Sequence, residues 1–186
     1  MPILGIVASS NYQRVAPDTG AMFPLGMVSV GSAGASSIDF TSIPSTYKHL
    51  QIRAMASTSS STASYFRFNS DTGSNYARHM LQGNGSSAAA YAGSSQTSMW
   101  FVSDINVSPY VAGAVVDILD YASTSKNKTI RSLSGVDNNN TSGNNAIIFA
   151  SGLWMNTNAI SSISIFPLSG NFQQYSSFAL YGIKGA

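Results

Sequence analysis

Tyr47-Lys48-His49-Leu50-Gln51-Ile52-Arg53-Ala54-Met55-Ala56 is the stretch that decides the fold class. Leu50, Ile52, Ala54 and Ala56 recur at every second position, with His49, Gln51 and Arg53 between them. A period of two puts the apolar set on one face of an extended strand and the polar set on the other. The stretch therefore predicts a half-buried β-strand.

Working outward, the same signal returns at intervals of roughly 8–15 residues, the spacing of a sandwich or barrel. Upstream, Met27–Val30 reads as a strand, and Ile38 and Phe40 alternate until Ser42-Ile43-Pro44, where proline closes the run. Downstream, a Ser/Thr run (57–64) leads to Tyr65-Phe66-Arg67-Phe68, with Phe66 and Phe68 inward. Residues 69–75 have turn composition, and Tyr76–Leu81 reads as the return strand of a hairpin. Residues 83–98 read as a Gly/Ser/Ala-rich loop. Further strands are predicted at Met99–Ile105, Ala114–Tyr121, Thr129–Val136, Ala146–Met155, Ile160–Phe166 and Phe178–Ile183. About ten strands and no helix predict an all-β chain: an antiparallel β-sandwich, jelly-roll-like, over residues 25–186. Residues 1–24, with Pro2, Pro17 and Pro24, read as an extended N-terminal arm. The expected core includes Phe40, Leu50, Ile52, Phe66, Phe68, Ile118, Ile163, Ile165 and Leu180.

Composition narrows the function. The chain has 186 residues, which suits one domain, and only 9% of them are charged, against roughly 25% in an ordinary soluble domain. There is no Glu, while 34 Ser, 11 Thr and 14 Asn make up nearly a third of the chain. Strong helix formers are thinned out, which excludes bundles and coiled coils. The net charge of +2 is spread thinly, whereas a phosphate-neutralising nucleic-acid binder clusters its bases. The densest group, Lys126, Lys128 and Arg131, reads as the solvated end of a strand. Cysteine is absent, so there is neither a disulfide framework nor thiolate chemistry. No run approaches the ~18 apolar residues that span a bilayer, so no membrane insertion is expected.

The acid and base inventory is equally thin. A glycosidase pair would have to be two Asp, yet Asp117 and Asp120 stand at odd spacing and point to opposite faces of a strand. His49 and His79 lack a Gly-x-Ser-x-Gly partner or a paired-His spacing and read as outward strand residues. Asn69, Asp71, Gly73 and Asn75 loosely follow the offsets of a calcium loop, but one carboxylate is a weak ligand set. No catalytic residue, cofactor or metal is expected. Tyr91, Trp100, Tyr110, Trp154 and Tyr175 lie in or beside loops and are the candidate contacts to a glycan or protein partner.

Several phrases resemble small structural proteins of tailed bacteriophages. They are Ser42-Ile43-Pro44-Ser45-Thr46-Tyr47-Lys48-His49-Leu50-Gln51-Ile52-Arg53 and Arg67-Phe68-Asn69-x-Asp71-Thr72-Gly73-Ser74-Asn75-Tyr76. Ser151-Gly152-Leu153-Trp154, Gly170-Asn171-Phe172 and Phe178-Ala179-Leu180-Tyr181-Gly182-Ile183-Lys184 complete the set, which covers most of the chain from about residue 25. The resemblance implies a non-enzymatic virion component, made in the host cytoplasm, and carries no catalytic residues. The expected role is a capsid-decorating (cement) protein whose arm clasps neighbours. The alternative is a head- or tail-fibre appendage binding a host surface glycan. Expected partners are other copies of the chain, as a homotrimer or another symmetric assembly, and the major capsid protein or other virion proteins.

Overall fold

The computed structural model describes residues 21–105, 109–139 and 145–185. Among these, twelve strands and no helix are found. In chain order they are β1 (Met22–Ser29), β2 (Ile38–Phe40), β3 (His49–Ala56), β4 (Thr62–Phe68), β5 (Tyr76–Gly83) and β6 (Ala88–Gln96). Then come β7 (Met99–Ile105), β8 (Ala112–Leu119), β9 (Lys128–Val136), β10 (Ala146–Trp154), β11 (Ile163–Pro167) and β12 (Ser177–Ile183). They form two antiparallel sheets. The larger has the order β1-β12-β3-β8-β9-β10-β5-β6 and the smaller β2-β11-β4-β7.

The alternation of β3 is as predicted: Leu50, Ile52, Ala54 and Ala56 are buried between the sheets. All nine expected core residues are buried as well. An aromatic chain runs through this core. Trp154 packs on Phe68 with ring centroids 5.4 Å apart, Phe68 on Phe66 at 5.3 Å, and Phe66 edge-on to Phe101 at 6.4 Å. Phe101 in turn meets Phe178 at 6.1 Å, and Phe178 meets Phe172 at 4.9 Å. Both sheets contribute rings, so each side chain closes the gap for the next.

Four expectations need correction. First, Tyr76–Leu81 is not the return strand of a hairpin with Tyr65–Phe68, because β4 lies in the small sheet and β5 in the large one. Asn69 and Ser70 take positive φ (49° and 56°), which redirects the chain across the sandwich. Asp71 then anchors the crossing: its carboxylate accepts from Gly73 N at 2.8 Å, Asn75 Nδ2 at 3.0 Å and Trp154 Nε1 at 2.7 Å. Second, residues 83–98 are not a loop but contain β6. Its Ala, Gly and Ser residues have little intrinsic strand preference, and the ladder with β5 imposes the conformation. Asn84 Oδ1 caps the turn by accepting from the backbone N–H groups of Ser86 and Ser87. Third, β1 starts at Met22, so Met22-Phe23-Pro24 belong to the sheet and not to an arm. Pro24 is tolerated there because β1 is an edge strand with a bulge between Pro24 and Gly26. The rest of the expected arm lies outside the described residues, apart from Ala21. Fourth, Lys128 is not solvated. It is fully buried, and its ammonium donates to the carbonyls of Ser123 and Lys126 at 2.7 Å and of Thr157 at 3.0 Å. Burial holds its pKa below the ordinary value.

Candidate interaction surface

The five aromatic candidates do not form one platform. Trp154 is 1% exposed and belongs to the core, so it offers no face to a ligand. Trp100, on β7, is in register with Tyr65 of β4 and packs, partly buried, against Met80, Ala146, Ile148 and Ala150 of the large sheet. The Arg78 guanidinium covers its ring at 4.2 Å from the centroid. Tyr91 is half exposed on β6, at the far edge of the large sheet. Tyr110 and Tyr175 are both exposed and share one end of the sandwich, flanking the last residues of β3 through β8 and β12. Tyr175 takes a positive φ of 71°.

Three of the groups weighed for catalysis, Asp120, His49 and Asp117, are held in structural contacts, while His79 is exposed on β5. The Asp120 carboxylate pairs with Lys48 at 2.8 Å and Lys126 at 3.0 Å, which lowers its pKa to about 2. The Asp120 backbone N–H donates to His49 Nδ1 at 3.0 Å, so that ring nitrogen is an acceptor. Asp117 accepts from Gln51 Nε2 at 2.7 Å. Burial pushes the Asp71 carboxyl up, but the hydrogen bonds from Trp154, Asn75 and Gly73 outweigh it and leave the pKa below its ordinary value. Those three donors occupy the carboxylate that a calcium ion would need. Asn69 is likewise engaged, accepting from Ser161 N at 2.8 Å and donating to Ala159 O at 2.8 Å. Among the described residues, no group of three or more His, Cys, Asp or Glu side chains could hold a metal.

What stands out instead is the outer face of the large sheet. One row of directly opposed residues crosses all eight strands: Met27, Ala179, Arg53, Val115, Leu133, Phe149, Leu81 and Ala90. The row beside it contains Met55, Gly113, Gly135, Ile147 and Gly83. Met27 is 71% exposed, Ile147 64%, Met55 58%, Leu81 57%, Phe149 54% and Leu133 51%. Scattered exposed apolar residues are ordinary, but a contiguous patch marks a contact surface. Glycines 113 and 135 leave a trough of about 650 Å³, flanked by Met27, Met55, Leu133 and Ile147. The third row is polar: Gln51, Asp117, Arg131, Ser151 and His79.

The aromatic reading missed this face. Its signal is present in β9 and β10, where Leu133, Ile147 and Phe149 alternate with Ser132, Ser134, Ala146, Ile148 and Ala150. Large apolar residues therefore stand on both faces here: Ile130, Val136, Ile148 and Trp154 inward, Leu133, Ile147 and Phe149 outward.

No protein-family model, curated protein or solved structure matches the chain.

Proposed function

We propose that the chain is a non-enzymatic structural component of a bacteriophage particle, and specifically a capsid-decorating protein. The observation that carries this reading is the unpartnered apolar outer face of the large sheet, which commits the broadest surface of the molecule to protein contact. The phage-like phrases fall on structural nodes, in keeping with a role that needs no catalytic group. Asp71 and Trp154, from two different phrases, hydrogen-bond to each other. Tyr121 Oη donates to the Pro44 carbonyl. A Cβ at Gly182 would overlap the Tyr47 ring, and one at Gly152 would overlap Met99 Cε.

With β1, β9, β10 and β12 set aside, the order β2-β11-β4-β7 facing β3-β8-β5-β6 is that of two interlocked Greek keys. That order fits a jelly roll with β9–β10 inserted as a hairpin, an architecture used by viral capsid and lectin domains. The fold argument is an analogy; the apolar face is the physical one.

The test is copy number on purified particles by quantitative mass spectrometry. Hundreds of copies are expected for decoration. A few dozen or fewer would make the chain a head or tail appendage, and absence from the particle would overturn the reading.

A further inference from the structure

We propose that the outer face of the eight-stranded sheet is the interface of a two-fold homodimer, with the axis parallel to the strands and running between β8 and β9. This inference rests on the same face as the particle reading, and the mass of the isolated chain tests it separately from copy number on particles.

Size comes first. Eight strands about 4.8 Å apart, of about seven residues each, make a face of about 34 Å by 24 Å, or about 800 Å². A specific interface buries about 800 Å² per partner, so a second copy of the same face supplies the area a stable dimer needs.

The pattern on the face chooses the axis. The strand order has its midline between β8 and β9, with four strands on either side. A two-fold axis along that line exchanges β8 with β9, β3 with β10 and β12 with β5. Val115 then faces the partner's Leu133, Met55 faces the partner's Ile147, and Ala179 faces the partner's Leu81. Gly113 faces the partner's Gly135, where an added Cβ on Gly113 would meet nothing within 4 Å. The flanking Met55 and Ile147 side chains fill the trough from both copies. Arg53 comes over the partner's Phe149, a favourable cation–aromatic pairing.

The polar row adds charge complementarity. Asp117 faces the partner's Arg131, and the symmetry makes that contact twice. Within one chain these two residues are already register neighbours on β8 and β9. Each nevertheless turns to the strand on its other side: Asp117 Oδ1 to Gln51 Nε2 at 2.7 Å, and Arg131 Nη1 to Ser151 Oγ at 2.6 Å. Opposite charges placed this way fix the register of two copies and disfavour slipped pairings.

The experiment is sedimentation velocity on the full chain, with circular dichroism to verify folding. The wild type is expected at twice the chain mass of 19.5 kDa. Leu133→Glu is expected to sediment as a folded monomer, since Leu133 is exposed in the single chain. Asp117→Arg and Arg131→Asp are each expected to be monomeric alone. Mixed in equal amounts they are expected to form a heterodimer, because the two-fold axis then restores both charge pairs between chains. Mixing leaves the pairs within each chain unchanged, so recovery reports the interface alone. A monomeric or trimeric wild type, an unchanged mass for Leu133→Glu, or failure of the mixed variants to associate would each overturn the proposal.

Discussion

Strand β3 and the β9–β10 hairpin lie in the same sheet, yet they follow different rules on the outer face. In β3 the large apolar residues Leu50 and Ile52 face the core, and Gln51 and Arg53 face outward. In β9–β10 the core face carries Ile130, Val136, Ile148 and Trp154 together with Ser132, Ser134, Ala146 and Ala150, while Leu133, Ile147 and Phe149 on the outer face are exposed. Beneath the hairpin the small sheet ends at β7: Met99 at the start of β7 presses on Gly152 of β10 and excludes a side chain at that one position, while Ile148 and Trp154 on the same strand are buried. Alternation tells which residues share a face, but bulk does not tell which face is inside. The partner surface decides that.

The sharpest way to break this comparison is to truncate one residue from each rule. Ile52→Ala removes a fully buried side chain and is expected to cost about 2–5 kcal/mol in urea unfolding. If Leu133→Ala matched that loss in a monomeric background, the assignment of its face would be wrong.

The next effect probes where β10 is conventional, at its inward-facing end. Trp154→Phe removes the Nε1 donor to Asp71 and is expected to cost about 1–3 kcal/mol. It also changes the acid limb. The folded Asp71 pKa lies below its ordinary value, so its contribution is in force above about pH 4 and fades as pH falls through the folded pKa. A stability–pH profile of Trp154→Phe should show a shallower acid slope.

Tyr76 sharpens the comparison at high pH. Burial raises its pKa to about 12, against about 10 in the unfolded chain. The unfolded state therefore releases its proton first. Stability is intact below about pH 10 and is expected to fall by about 2 kcal/mol toward pH 12. Tyr76→Phe should make that slope shallower, leaving the part due to Tyr121, whose pKa burial also raises.

Two smaller effects return to β9. Among the described residues, the buried Ser134 Oγ has no hydrogen-bond partner. Ser134→Ala is therefore expected to stabilise by about 1 kcal/mol, read as a shift in the urea midpoint. On the outer side of the same strand, Leu133→Ala in a monomeric background is expected to move stability by less than about 0.5 kcal/mol. If the two came out alike, the comparison between the faces of β9 would collapse.

The candidate surface was only partly readable in advance. Tyr91, Tyr110 and Tyr175 were singled out by residue type and are exposed, but the fold distributes them between a sheet edge and one end. Trp154 was singled out on the same grounds and is buried, because its indole N–H has a built acceptor in Asp71. Met55, Leu133, Ile147 and Phe149 were in plain sight as strand residues. Nothing local distinguishes an exposed apolar set from a buried one when both faces of a strand are apolar or small.

By itself, the sequence determined an all-β chain, the alternation of β3, and a core built on Phe40, Leu50, Ile52, Phe66 and Phe68. These follow from short-range periodicity, which a single strand carries within itself. Only the tertiary structure decided that β4 and β5 belong to opposite sheets, that β6 is a strand, and that Leu133, Ile147 and Phe149 of β9–β10 face out. Each of those depends on which distant strand supplies the ladder hydrogen bonds or covers the face. Pairing and covering are long-range choices, and no local pattern encodes them.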